Sequence, residues 1–206
     1  MRLLNATCPS TNPPHDMIQG LMLAGGAGSR FGANKLLWPL ADGCAIGVSA
    51  ARHLVQGLPQ SLGVVRSDDE ELARRLREEG LGVVYCRDSA QGLGHSIVCG
   101  VTASAKAGGW VLTLADMPYI QPATISAVAA AIECGAAIAV VEYQGQRGHP
   151  VGFGVQLRAQ LLQLRGDTGA RDLIARHSGR IVRIPVDDPG VVQDIDTPAD
   201  LHTVRY

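Results

Sequence analysis

Short apolar runs alternating with stretches of helical period constrain this chain more than any other feature. Residues 18–24, 62–66, 82–86 and 110–115 are bounded by Gly or polar residues and are apolar almost throughout, the pattern of strands buried on both faces. Residues 136–142 and 180–186 read as two further strands. Residues 45–56, 68–79, 94–107, 122–134, 155–164 and 170–177 read as helices. Such alternation predicts an α/β fold, a single-domain, doubly wound, mostly parallel sheet built from right-handed βαβ units. Residues 144–150 lack periodicity and carry Gly145 and Gly148, so a loop or hairpin is expected there. In helix 68–79 the first turn is acidic, which suits the helix dipole, and Glu70 with Arg74 and Glu71 with Arg75 are spaced as i,i+4 pairs on a solvated face.

Composition narrows the function. Of 206 residues, 46% are hydrophobic and 18% charged, which is enough apolar material for a core. A formal charge of −1 and an aromatic content of 4% offer neither a basic field nor a stacking platform for nucleic acid. No apolar run approaches the ~20 residues a membrane-spanning helix needs. The five cysteines are far apart with no C-x-x-C pair, which suggests neither a disulfide framework nor a zinc site and favours a reducing cytoplasm. Residues 1–16, broken by Pro9, Pro13 and Pro14, read as a flexible tail without a secretory h-region, and residues 17–206 as the domain. Met17, directly before the first strand, leaves an alternative start open.

The turn after the first strand, Leu23-Ala-Gly-Gly-Ala-Gly-Ser-Arg-Phe-Gly-Ala-Asn-Lys35, lies where open α/β sheets bind ligands. Gly25, Gly26, Gly28 and Gly32 let backbone N–H groups approach an anion, and Arg30 and Lys35 add positive charge, a composition suited to a polyphosphate. A dinucleotide fingerprint fails because Phe31 stands where its third glycine belongs, and a P-loop fails for want of Gly-Lys-Ser/Thr. A plain connector is the competing reading, but it has little need of four glycines, an Arg and a Lys. Lysine is otherwise scarce, two against 16 arginines. Asp116 ends the fourth strand before Met117-Pro118 turns the chain, a good place for a hard oxygen ligand to Mg2+, although an Asp-x-Pro helix cap would look similar.

The turn resembles the L-A-[AG]-G-x-S/G-x-R-[MF]-G-x-x-K signature of the molybdenum cofactor nucleotidyltransferases, which attach CMP or GMP to molybdopterin. Further segments are similar to that family's motifs in the same order: Gln91-Gly-Leu-Gly-His-Ser-Ile97, Leu114-Ala-Asp-Met-Pro118, Arg147-Gly-His-Pro-Val-Gly-Phe153, Gly166-Asp-Thr-Gly-Ala-Arg171 and Asp194-Ile-Asp-Thr-Pro198. The similarity covers nearly the whole chain after residue 16. It implies a Rossmann-like nucleotidyltransferase fold, an NTP and molybdopterin as substrates, Mg2+ as cofactor and a molybdoenzyme as recipient of the product.

By this resemblance Leu23, Ala24, Gly25, Gly26, Gly28 and Ser29 bind the nucleotide, Arg30 holds the β- and γ-phosphates, and Lys35 bridges to the α-phosphate. Asp116 is the metal ligand. Gly92, Gly94 and Ser96 lie against base and ribose with their bare helical N–H donors, although any N-terminal turn would look the same. His149 and Arg171 belong to the acceptor pocket. Asp194 completes the metal shell or touches the pterin phosphate, and Asp196, in Asp-Thr-Pro, reads rather as a helix cap. Leu23-Ala-Gly-Gly resembles the guanylyltransferase form, whereas the His-Pro and Asp-Thr-Pro motifs are similar to cytidylyltransferases, which favours CTP over GTP. Transfer to a sugar phosphate or a methylerythritol phosphate, and non-catalytic binding of the nucleotide or cofactor, are the remaining alternatives.

Overall fold

Burial on both faces explains why the first run becomes a central strand. In the computed structural model, which describes residues 17–26, 34–167 and 169–202, β1 (Ile18–Ala24) sits between β2 (Ser61–Arg66) and β4 (Gly109–Leu114), parallel to both. Leu21 and Met22 point to opposite sides, and each is fully buried. Residues 1–16, together with Gly28, Ser29 and Arg30 of the turn, lie outside the described residues.

The sheet has seven strands in the order β3-β2-β1-β4-β6-β5-β7, with β3 (Gly82–Cys86), β5 (Ile138–Tyr143), β6 (Gln146–Gly154) and β7 (Ile181–Pro185). All pairings are parallel except those of β6, which runs antiparallel to both β4 and β5. The chain steps from β1 outward to β2 and β3, then returns to place β4 on β1's other side. Strand order therefore reverses between β1 and β4, and a crevice opens at their carboxyl ends.

Helices cover both faces. α1 (Ile46–Gly57), α2 (Glu70–Glu78) and α4 (Pro122–Glu133) bury Ile46, Leu54, Leu72, Leu76, Ile125 and Ile132 on one side. α3 (Leu93–Ala103), the single-turn α5 (Arg158–Leu161) and α6 (Arg171–Arg176) cover Trp110 and Phe153 on the other. Each fully buried side chain of this size contributes roughly 1.5–3 kcal/mol, so the two cores hold the crevice rigidly from beneath. Among the described residues no helix is long and apolar enough to cross a membrane.

The stretch 144–150 opens with the hairpin expected of it: Gln144 and Gly145 take φ of 50° and 80°, the backbone of a tight hairpin, and a strand not expected from the sequence, β6, begins at Gln146. Other expectations need correction. The helix expected over 155–164 forms as a 3-10 turn and one α-helical turn. β3 is an edge strand with Tyr85 exposed, and Glu70 bonds Tyr85 and Arg77, while Arg74 pairs with Glu71 and Glu78; Arg75 does pair with Glu71. Cys86 and Cys99 form a disulfide, their Cα atoms 5.9 Å apart. Sequence spacing missed it because the contact is made by packing α3 on β3.

Candidate active site

Lys35 is positioned from outside the glycine-rich turn. Residues 35–37 form a single 3-10 turn whose N-cap, Asn34, accepts the Leu36 N–H at 3.2 Å. The Asn34 amide donates at 2.6 Å to Asp69 Oδ2, and Asp69 Oδ1 accepts the Leu72 N–H that opens α2. One carboxylate thus caps a helix and anchors the short turn that carries the lysine.

Asp116 is positioned by the sheet. The Ala115 N–H donates to the Leu23 carbonyl at 3.1 Å, extending the β1–β4 ladder past the strand, and the Met117 N–H returns to the Leu114 carbonyl. The Ile195 N–H donates to the Asp116 carbonyl at 2.9 Å, which brings the C-terminal segment over the same point. There the Lys35 Nζ donates to Asp116 Oδ2 at 2.9 Å and to Asp196 Oδ1 at 3.1 Å. Burial by itself would lower the Lys35 pKa, but the bonds and charges of Asp116 and then Asp196 outweigh it and raise it above the ordinary value. The ammonium is therefore fully charged at neutral pH.

The second carboxylate on Lys35 is Asp196, which the sequence read as a helix cap, with Asp194 as the metal or acceptor contact. Asp200 accepts the Asp196 N–H, the Thr197 N–H and the Thr197 hydroxyl at the start of the short 3-10 turn. From there the Asp196 side chain reaches Lys35. Asp194 is exposed and acts electrostatically on His149. Among the described residues no group of three or more His, Cys, Asp and Glu is arranged to hold a metal. Two carboxylates converging on one cation, with side chains 26% and 51% exposed, nevertheless fit Mg2+, which takes one or two carboxylates and completes its shell with phosphates and water.

The structure changes the reading of Gly92 and Gly94. The Gly94 N–H donates to the Gly166 carbonyl at 2.9 Å and the His95 N–H to the Gly92 carbonyl, so these donors are not bare. Gly92 has a φ of 120°, and a Cβ on Gly94 would lie 2.9 Å from the Arg165 backbone. Both glycines admit the 165–167 segment against the start of α3. Gly25 does face this helix: a Cβ there would come within 2.8 Å of Ser96 Oγ, which brings the end of β1 and Ser96 together. Ala24 is buried, and Gly26 is exposed.

Leu23, His149 and Arg171 meet in a cleft of about 520 Å³. Its floor is the sheet face carrying Leu23, Leu112, Leu114 and Val151, and its roof comes from α3 and α6. His149 packs into the wall, with Nδ1 shielded and without a hydrogen-bond partner. Burial lowers its pKa, opposed by a bond to the Leu112 backbone and the charge of Asp116, so the imidazole is neutral at pH 7. Arg147 and Asp167 also line this cleft, and sequence reasoning named neither as a site residue. Arg147 could have been found, since it precedes His149 by one strand period.

The MobA-like NTP transferase domain family matches residues 20–181. No curated relative matches the sequence. The crystal structure of Rv0371c from Mycobacterium tuberculosis is 27% identical, with a TM-score of 0.77 over 90% of this chain and 95% of that one. The same protein in complex with manganese is 27% identical, with a TM-score of 0.75 over 91% and 100% of the two chains. A molybdopterin-guanine dinucleotide biosynthesis protein A from Archaeoglobus fulgidus shares the fold at 17% identity, with a TM-score of 0.61 over 89% and 94%.

Proposed function

Because this chain belongs to the MobA-like NTP transferase domain family, we propose that it transfers a nucleoside monophosphate, CMP from CTP in preference to GMP from GTP, to molybdopterin and releases pyrophosphate. The observation that carries this reading is the Lys35–Asp116 pair, 2.9 Å apart at the strand-order reversal beside the glycine-rich turn. A cation and a metal-competent carboxylate meet there, where a triphosphate would lie.

An oxygen of the acceptor's phosphate attacks the α-phosphorus, and the bond from that phosphorus to the bridging oxygen of pyrophosphate breaks. Both partners are anions, so the protein's main task is electrostatic. The amides of Gly25, Gly26 and Gly28, with Ser29 and Arg30, hold the β- and γ-phosphates. Lys35 turns from the carboxylates to the α-phosphate, its charge secured by the raised pKa. Mg2+, held by Asp116 and by Asp194 or Asp196, would neutralise phosphate oxygens; the manganese complex of the M. tuberculosis relative supports a divalent ion. Ser96 stands beside Gly25 for contact with the nucleotide, and Gly92 and Gly94 shape that wall. His149 and Arg171 receive the acceptor in the cleft, and the product passes to a molybdoenzyme.

The His-Pro and Asp-Thr-Pro motifs support CTP. The test is pyrophosphate release with CTP and GTP, each against molybdopterin and against sugar phosphates. Turnover with molybdopterin and CTP supports the reading. Turnover with a sugar phosphate alone overturns the acceptor, and faster turnover with GTP overturns the base.

A further inference from the structure

The Cys86–Cys99 disulfide ties the carboxyl end of β3 to the middle of α3, across 13 positions of sequence. The loop it closes carries the α3 wall of the crevice. Ser89 and Ser96 lie inside that loop, both buried, and both meet Gly25 just past β1: an added Cβ there would come 2.7 Å from Ser89 Cβ and 2.8 Å from Ser96 Oγ. Gly94, also inside it, donates its N–H to the Gly166 carbonyl at 2.9 Å. Gly92, with its φ of 120°, joins the 3-10 turn Ser89–Gln91 to α3. The covalent tie therefore fixes the angle at which the start of α3 meets the end of β1.

The fold does not need this bond to be stable. Two apolar cores flank a seven-stranded sheet, and a domain of this size buries enough surface without a covalent staple. Among the described residues Cys44 and Cys134 are free, so no disulfide framework surrounds the pair. Its two sulfurs are unequal: Cys86 is fully buried, whereas Cys99 is partly exposed and is the one a reagent from solvent reaches first. Once reduced, Cys86 has an acceptor for its thiol proton in the His95 carbonyl, 3.6 Å away. Both redox states thus leave the buried sulfur satisfied, and only the linked one holds α3 to β3.

We propose that Cys86 and Cys99 are a reversible redox pair that sets the nucleotide affinity of the crevice: the linked form holds the start of α3 in place for the nucleotide, and the dithiol form lets it move. The oxidant is a peroxide. Hydrogen peroxide transfers one oxygen to the Cys99 sulfur, giving a sulfenic acid and one water. The Cys86 sulfur then attacks the Cys99 sulfur; the S–S bond forms, the S–O bond breaks, and a second water leaves with the Cys86 proton. A dithiol reverses the step by attacking Cys99: it passes through a mixed disulfide and ends as its own disulfide, with both protein thiols restored. Calling the ligand a nucleotide rests on the nucleotidyltransferase reading; the linkage and its hold on α3 do not.

The experiment compares the full chain after dithiothreitol and after a stoichiometric dose of hydrogen peroxide. Peptide mass mapping reads the linkage, hydrogen–deuterium exchange reads the amides at the start of α3, and calorimetry reads CTP binding in the presence of Mg2+. Peroxide should create the 86–99 linkage and dithiothreitol remove it, with faster exchange at the start of α3 in the reduced form. Reduction should weaken CTP about threefold or more, as when the competent wall is populated only about a third of the time. Cys99→Ala should bind CTP like the reduced wild type before and after peroxide, which excludes Cys8, Cys44 and Cys134 as the cause. The proposal is overturned by no linkage after peroxide, by equal exchange in the two states, by CTP affinity as high or higher in the reduced form, or by a peroxide response that survives in Cys99→Ala. The wild-type comparison stands even where Cys99→Ala melts early. CTP bound by neither form counts against the nucleotidyltransferase reading alone, and linkage and exchange then decide the switch.

Discussion

Lys35 and Asp116 stand 81 positions apart in the chain and share a 2.9 Å hydrogen bond. Two independent anchors make that contact: the Asn34–Asp69 bond on the lysine's side and the β1–β4 ladder on the aspartate's. Replacing Asp116 by Asn keeps the shape and removes the charge. Turnover should fall by ~10²–10³-fold, as when one electrostatic donor of an active site is lost, while CTP binding, read by titration, is largely retained. A variant with undiminished pyrophosphate release would remove Asp116 from the chemistry. A protein that merely holds nucleotide would have no turnover to lose.

Asn34 supplies a second test. Asn34→Ala deletes both the cap on Leu36 and the link to Asp69. The expected stability loss is about 0.5–2 kcal/mol, the usual cost of a missing cap, seen as a lower midpoint in urea. Because Lys35 loses its anchor, kcat should fall further than the stability loss accounts for at a temperature where the variant is fully folded. Normal kcat in a folded variant would show that Lys35 finds its place unaided.

β1, β2 and β4 were legible because strands buried on both faces read as unbroken apolar runs; β3 reads the same way although it is an edge strand. β6 was not, since Gly148, Pro150 and Gly152 interrupt its pattern and its partners come from tertiary pairing with β4 and β5. At the site, Lys35 and Asp116 stood out by residue type and position relative to the first and fourth strands. The sequence ranks Asp194 above Asp196 as the contact, because Asp-Thr-Pro reads as a cap; that Asp196 reaches Lys35, 161 positions away, is a tertiary contact that spacing does not show. The Gly94 donor looks free because its acceptor, Gly166, lies far along the chain, whereas the Gly92 N–H is taken locally by the Ser89 carbonyl.

Glycines of the site divide into two kinds, which substitution separates. At Gly92 the φ of 120° and the approach of Gly166 make Ala costly by about 1–3 kcal/mol. At Gly26 no described residue lies within 4 Å of a new Cβ. Gly92→Ala should lower the melting temperature by several degrees, whereas Gly26→Ala should melt like the wild type and lose affinity for CTP. Wild-type CTP affinity in Gly26→Ala would show that no phosphate approaches that amide.

His149 makes stability depend on pH. Burial depresses its folded-state pKa below the ordinary value, against the Leu112 backbone bond and the pull of Asp116 and Asp194, with Arg147 acting in the same direction as burial. The unfolded chain then takes up a proton below about pH 6.5, where the folded protein does not. The contribution is present above that pH and is lost as pH falls through the unfolded value toward the lower, folded one. Melts of wild type and His149→Gln between pH 7.5 and 5.5 read it directly: the wild type should lose more stability on acidification than the variant. Parallel curves would mean that the imidazole takes up its proton in the folded cleft as readily as in water.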